Sequence, residues 1–272
     1  LATLAFSDSD FKRIAALMYD AAGLSYNDSK KSLIQSRLAL RVQKLGLESF
    51  AEYIDILEDE SEAAEFQMAV DLLTTNETYF FREPKHYDLL ERELPTYAGK
   101  AALSVWSAAA SFGDEAYSMA MLLSDLQTNG RIGAQWSILA TDISHRVLLS
   151  AKEAVFPQDR LREVSPERLR RYCLRGEGPS EGQAMVVEKI RNRVQFGQLN
   201  LCKPFSGLGP FDVIFLRNVL IYFDAPTKVD VVDRVLACLK PGGLFFLGTA
   251  EGRVPCRTRL DTLIPGAFRK AQ

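Results

Sequence analysis

The sequence predicts an α/β protein in which a doubly wound, mostly parallel sheet follows an all-α domain and carries a small antiparallel β-subdomain insertion. Three observations predict it. Strand-like and helix-like runs alternate from about residue 100 onward. The residues before about 75 show helical periodicity alone. A turn-rich stretch, Arg175-Gly176-Glu177-Gly178-Pro179-Ser180-Glu181-Gly182, breaks the alternation once. The expected organisation is a helical domain over 1–75, a linker over 76–100, and an α/β domain over 101–272 with its insertion at about 172–197.

Taken in order, Ser7 and Asp8 suit a helix N-cap, and Phe11, Ile14, Ala15 and Met18 then recur at helical spacing. A second helix is expected over 29–45 and others through 48–73. Charge is segregated there. Lys30, Lys31, Arg37, Arg41 and Lys44 fall in a stretch without acids, whereas Glu48 to Asp71 holds nine acids and no base. At 100° per residue Lys30, Arg37, Arg41 and Lys44 share one face, a quarter-turn from Ile34, Leu38, Val42 and Leu45. That face reads either as a solvated surface or as a docking surface for an acidic partner helix.

Leu103–Ala109 is a short apolar run, Glu115–Gln127 a helix, Trp136–Ile143 a second strand and Ser144–Ala154 a helix. Ala184–Lys189 and Arg193–Phe196 read as strands of the insertion, and Val194–Leu201 as a strand of the alternating series. Phe211–Leu216 is a buried strand. Ala225–Leu239 is a helix stopped by Pro241-Gly242-Gly243, Leu244–Gly248 is the next strand, and Gly266–Ala271 closes the sheet.

Composition narrows the function. The chain has 272 residues, 47% hydrophobic and 25% charged, with a net charge of -2. This is an ordinary globular composition with no electrostatic signature of nucleic-acid binding. No apolar run reaches membrane-span length, and the first residues lack the pattern of a secretory leader, so an integral membrane protein is not expected. Cys173, Cys202, Cys238 and Cys256 are scattered and only His86 and His145 are present. Neither a disulfide framework nor a metal centre is expected, and a reducing cytoplasm is the default.

Ligands of such sheets sit beyond the carboxyl ends of the strands at a switch point. Small residues Ser107-Ala108-Ala109-Ala110-Ser111 end the first strand, and Gly113 permits the turn into a helix. There is no G-x-G-x-x-G, which weighs against a dinucleotide site. Asp142 ends the second strand, where an acid accepts ribose hydroxyls or caps a helix. Thr74–Glu83 mixes amides, hydroxyls, aromatics and Arg82 just before the α/β domain, and reads as a linker or as part of a site. Arg217-Asn218, with Tyr222 near, stands at the end of a buried strand, where ligand groups concentrate. The Gly-rich stretch makes a poor phosphate cradle, because no helix follows it.

Taken together, these segments resemble the CheR family of chemotaxis receptor glutamate methyltransferases. The resemblance runs through Thr75–Glu83, Val105–Glu115, Ala140–Ile143, Asn200-Leu201, Phe211–Phe215, Arg217–Asp224 and Pro241-Gly242-Gly243. It implies a Rossmann-type S-adenosylmethionine methyltransferase domain, with S-adenosylhomocysteine as product. Asn76, Thr78 and Arg82 would then approach the methionine end of the cofactor. Ala108 would lie in the first cofactor loop, with Asp114 as its acidic residue. Asp142 would hold the ribose, Asn200 and Leu201 would flank adenine, and Arg217 and Asn218 would line the reaction pocket. Arg82 and Tyr222 would orient the acceptor.

The resemblance also implies the partner, the cytoplasmic domain of methyl-accepting chemotaxis receptors. Its acidic helix would dock on Lys30, Arg37, Arg41 and Lys44, and a C-terminal pentapeptide would add as a strand at Arg175, Gly176, Gly178 and Gly182. Two departures stand out. Phe112-Gly113-Asp114-Glu115-Ala116 replaces the usual Thr-Gly-Glu-Glu-Pro, and Met185 stands where a second Arg is often found.

Overall fold

Helix α1 (Asp8–Ala22) starts at a reciprocal cap. The Ser7 hydroxyl accepts from the Asp10 N–H at 3.1 Å while the Asp10 carboxylate accepts from the Ser7 N–H at 2.8 Å. Two donors that a helix start leaves without partners are thereby satisfied. The computed structural model describes residues 4–99 and 101–272; residues 1–3 and 100, within the expected helical domain and linker, lie outside the described residues.

Helices α2 (Lys31–Lys44), α3 (Phe50–Glu58) and α4 (Ala63–Leu73) pack with α1 around Ile14, Met18, Ile34, Leu38, Val42, Phe50, Tyr53 and Ile54. The apolar stripe of α2 is buried as far as Val42. Leu45 lies past the end of the helix and is 39% exposed. Arg41 does not face solvent freely. Its guanidinium holds the buried Glu65 carboxylate, which also accepts from the Tyr53 hydroxyl at 2.8 Å.

Arg41 holds the Glu65 carboxyl below its ordinary range, against the opposing effect of burial. A carboxylate of this kind contributes stability above its unfolded value, and the contribution is lost as pH falls through the lower folded value. Arg41→Ala is therefore expected to cost about 1–2 kcal/mol at pH 7. The deficit should shrink in denaturant titrations run near pH 3.

Helix α5 (Pro84–Ala98) leads into the sheet domain. Its strands and helices follow as β1 (Leu103–Ser107), α6 (Asp114–Thr128), β2 (Trp136–Asp142), α7 (His145–Glu153), β3 (Val155–Pro157), α8 (Pro166–Tyr172), β4 (Cys173–Arg175), β5 (Gln183–Val186) and α9 (Glu188–Arg191). The series ends with β6 (Val194–Gln198), β7 (Phe211–Leu216), α10 (Ala225–Ala237), β8 (Leu239–Leu247), β9 (Leu260–Ile264) and β10 (Ala267–Lys270).

Among the described residues, the main sheet has seven strands in the order β6-β2-β1-β7-β8-β10-β9. The first five run parallel, and β10 and β9 close the edge antiparallel. Alternation along the strands divides the core. Val105, Val213, Phe215 and Phe246 face α5 and α6, whereas Trp106, Ile214, Leu216 and Phe245 face α10. Both faces are covered, which is why the strands read as continuous apolar runs.

The small sheet, in the order β3-β5-β4, is antiparallel as expected. Its strands span Val155 to Val186 rather than about 172–197. Val194–Gln198 instead pairs in parallel with β2 in the main sheet. β3 has only three residues, too few to show a period. β8 begins at Leu239, five residues before the expected strand, and runs through Pro241-Gly242-Gly243, where its register against β7 shifts. The strand at 260–264 had no recognised signal. No described helix is long and apolar enough to cross a membrane.

Candidate functional site

The order of the main sheet turns at β1, which has β2 on one side and β7 on the other. Chains leave the carboxyl ends of these strands in opposite directions, so a crevice opens above them. The end of α1, the start of α2 and the segment 73–82 roof it, leaving a cavity of about 310 Å³.

At one end stands Asp142. Its Oδ2 accepts from the Ser111 N–H at 2.8 Å and its Oδ1 from the Ser144 N–H at 2.9 Å. Burial raises the Asp142 carboxyl, tempered by these backbone donors. The carboxylate accepts only, and Asp142 lines the cavity, so a hydroxyl donor such as a vicinal diol is a fitting ligand. Leu199, Leu201 and Ile143 supply apolar wall beside it. Asn200 is anchored, donating to the Ala21 carbonyl at 2.6 Å and accepting from the Cys202 N–H at 2.9 Å.

The opposite end is charged. Arg217 is 4% exposed. It donates to the Arg82 carbonyl and lies 3.4 Å from Glu115 and 3.6 Å from Glu83. Its Nε and Nη1 make no hydrogen bond among the described residues. Glu115 accepts from the Ser107 hydroxyl at 2.7 Å, and burial raises its carboxyl while Arg217 opposes the shift. Asn218 takes a left-handed conformation at φ 60° and donates to Glu83 at 3.3 Å. A buried cation beside a buried carboxylate suits a zwitterionic amino-acid group.

Between the ends runs the segment after α4. Asn76, Thr78, Tyr79 and Arg82 line the cavity, and Arg82 donates to the Glu77 carbonyl at 2.8 Å. Tyr222 faces them, its hydroxyl 3.5 Å from the Thr75 carbonyl, and burial raises its pKa. Four of the five described non-glycine residues with positive φ, namely Phe81, Glu83, Ser111 and Asn218, sit at or against this site. Such conformations persist only where surrounding contacts impose them.

Of the cofactor and acceptor residues expected from the sequence, Asn76, Thr78, Arg82, Ala108, Asp142, Asn200, Leu201, Arg217, Asn218 and Tyr222 line the one cavity. Asp114 does not. It is fully buried on the other side of the first turn of α6, paired with Arg160. Burial pushes its carboxyl up to about 6 in spite of Arg160. Glu115 is the acid that faces the cavity. Gly113, at φ 90°, caps the helix so tightly that a Cβ there would meet Ala151 and Phe196 at 3.1–3.2 Å. The 100° step from Asp114 to Glu115 turns Glu115 inward, and two adjacent acids in sequence carry no sign of which one turns. Phe112 stacks under Arg160, 4.7 Å from its guanidinium carbon, on the Asp114 side.

The expected docking residues divide. Lys30 and Arg37 line the same cavity, Lys44 is exposed, and Arg41 is engaged by Glu65. Arg37 is bound to the chain at 73–75. Arg175, Gly178 and Gly182 are exposed on the small sheet, away from the cavity. Gly176 lies at the same turn, where a Cβ would fall 2.0 Å from the Ser180 carbonyl oxygen. No group of three or more His, Cys, Asp or Glu among the described residues is placed to hold a metal ion.

Comparison with known proteins agrees with this geometry. The family model described as "CheR methyltransferase, SAM binding domain" matches residues 76–262, and "CheR methyltransferase, all-alpha domain" matches residues 9–74. The chain is 42% identical over 249 residues to the chemotaxis protein methyltransferase of Escherichia coli strain K12, covering 91% of this chain and 86% of that protein. It is 41% identical over 249 residues to that of Salmonella typhimurium, covering 91% and 85%. It is also 41% identical over 254 residues to chemotaxis protein methyltransferase 2 of Pseudomonas aeruginosa, covering 92% and 88%.

Proposed function

The chain belongs to the CheR methyltransferase family, an S-adenosylmethionine-dependent methyltransferase of chemotaxis, and from that membership we propose that its acceptor is the γ-carboxylate of glutamates on methyl-accepting receptors. The observation that carries this reading is the placement of Arg82 and Tyr222 at the one cavity, with no imidazole among its lining residues. A glutamate carboxylate, with a reference pKa of about 4.3, is already ionised at pH 7 and needs no general base. A cation and a phenol that orient it therefore suffice, whereas an amine or alcohol acceptor would need a proton removed.

In this reading Asp142 holds the ribose, with Asn200 and Leu201 at adenine, and Glu115 with Arg217 takes the amino-acid end. When bound, S-adenosylmethionine supplies an electrophilic methyl group on a sulfonium. Asn76, Thr78 and Arg82 shape the wall where the acceptor enters. Arg82 would pair with the carboxylate, Tyr222 would donate a hydrogen bond to it, and entry into the cavity would strip water from the nucleophile. Methyl transfer would form the bond from carboxylate oxygen to methyl carbon and break the carbon–sulfur bond, with S-adenosylhomocysteine as the leaving group.

Lys30 and Lys44 would meet the acidic receptor helix. The strand edge at Arg175–Gly182 would hold a receptor C-terminal pentapeptide, raising the local concentration of the acceptor. Such a substrate places the enzyme in the cytoplasm.

The test is incubation of the protein with methyl-labelled cofactor and receptor signalling domains, followed by alkali, which releases the label from an ester but not from a methylamine. Arg82→Ala is expected to lower labelling by roughly tenfold to a hundredfold, with thermal unfolding unchanged. Normal labelling by that variant, or alkali-stable label, would remove the assignment.

A further inference from the structure

Residues 75–79 have no regular secondary structure, yet they carry Asn76 and Thr78 to the cavity. Among the described residues, backbone–backbone hydrogen bonds hold the chain at its flanks alone, from the Thr74 N–H to the Val70 carbonyl and from the Phe80 N–H to the Arg160 carbonyl. Between these points its course is set by side chains. Arg37 of α2 supplies three bonds at its start, while the Ser111 hydroxyl donates to the Asn76 carbonyl at 3.5 Å and Arg82 to the Glu77 carbonyl at 2.8 Å further along. The Arg37 Nη1 donates to the Leu73 carbonyl at 2.7 Å and the Thr74 carbonyl at 3.2 Å, and its Nη2 to the Thr75 hydroxyl at 2.9 Å. Tyr26 adds a bond to the Leu73 carbonyl at 3.0 Å, and Tyr222 reaches the Thr75 carbonyl from the far side at 3.5 Å.

We propose that Arg37 is a positioning residue for the cofactor: by clamping 73–75 from the helical domain, it sets where Asn76, Thr78 and Arg82 stand around the methyl-transfer end of the cavity. The planar fork matters more than the charge. Two nitrogens of one rigid group meet three acceptors on successive residues, a pattern that a lysine ammonium does not reproduce. The same contacts turn the donors of Arg37 inward, which separates it from Lys30 and Lys44 as a docking cation. Arg37 thus acts on cofactor binding through the segment that it holds. The proposal rests on the reading of 76–82 as cofactor wall.

The test uses the full chain with Arg37→Lys, Arg37→Gln and Asn76→Ala. Each is titrated with S-adenosylhomocysteine by calorimetry, and KM for a receptor signalling domain is measured at saturating cofactor. Arg37→Lys keeps the charge, so a docking role predicts near-normal values throughout. A positioning role predicts affinity for S-adenosylhomocysteine weakened by roughly tenfold in both Arg37 variants, with receptor KM changed less than about twofold. Thermal unfolding of Arg37→Lys near that of the parent keeps a folding defect apart from this result. Normal S-adenosylhomocysteine affinity in Arg37→Lys, with Asn76→Ala weakened, overturns the proposal alone. Normal affinity in Asn76→Ala overturns the reading of the wall and the proposal together.

Discussion

Arg217→Met is expected to destabilise the protein by about 3–5 kcal/mol and to abolish cofactor binding. Arg217 is buried between Glu115 and Glu83 at 3.4 and 3.6 Å. Methionine matches much of its volume but leaves two carboxylates facing each other with no cation between them. Glu115 is already raised by burial, and without Arg217 it rises further.

The sign of the pH dependence follows. A carboxyl whose folded pKa exceeds its unfolded value loses stability as pH rises through that interval, so the deficit of the variant should be largest above neutrality and smaller near pH 5. Adding Glu115→Gln should recover more than half of the lost stability in denaturant titrations. It should not recover cofactor binding, because the amide cannot hold an ammonium as a carboxylate does. A single variant within about 1 kcal/mol of the parent would show that Arg217 does not neutralise these acids.

Asp142→Asn is expected to weaken S-adenosylhomocysteine by about a hundredfold, with a smaller loss of stability. Two hydrogen bonds from ribose hydroxyls to an ionised acceptor contribute about 1.5 kcal/mol each, which is close to two decades together. The amide removes the charge and sets an NH2 against either the Ser111 or the Ser144 N–H, both of which now donate to Asp142. That clash adds about 1–3 kcal/mol of destabilisation. Calorimetry and urea unfolding separate the two losses, because S-adenosylhomocysteine at saturating concentration restores only the first. An affinity within about threefold of the parent would contradict the ribose role.

Much of this was legible in the residues. The alternation of apolar runs from Leu103 to Leu247 reports a sheet covered on both faces, because buried strands show their burial in composition. The cap at Ser7 and the stripe Ile34-Leu38-Val42 were visible for the same reason: each depends on neighbours within a few residues. The site residues that stand at strand ends, Asp142, Arg217 and Asn218, follow from chain position once the strands are known.

Asp114, Arg37 and Arg41 did not yield to such reasoning. Whether Asp114 or Glu115 faces the cavity depends on the rotation that Gly113 and the Arg160 pairing impose, and Arg160 is 46 residues from Asp114. Arg37 and Arg41 share a helix face with Lys30 and Lys44, but their partners at Thr74 and Glu65 lie on another helix and its exit. The early start of the small sheet at Val155 escaped because three residues carry no period. Its pairing with 183–185 is a non-local contact.

By itself, then, the sequence determined the class of fold, the family and the strand ends that border the cavity. These are properties of local periodicity and of motifs that occupy contiguous residues. The tertiary structure alone decided which acid lines the cavity, which basic residues remain free for a partner, and that a helix of the first domain grips the segment lining the site of the second. Those outcomes depend on which donors and acceptors meet across long separations in the chain, and each buried charge takes the partner that packing brings within reach.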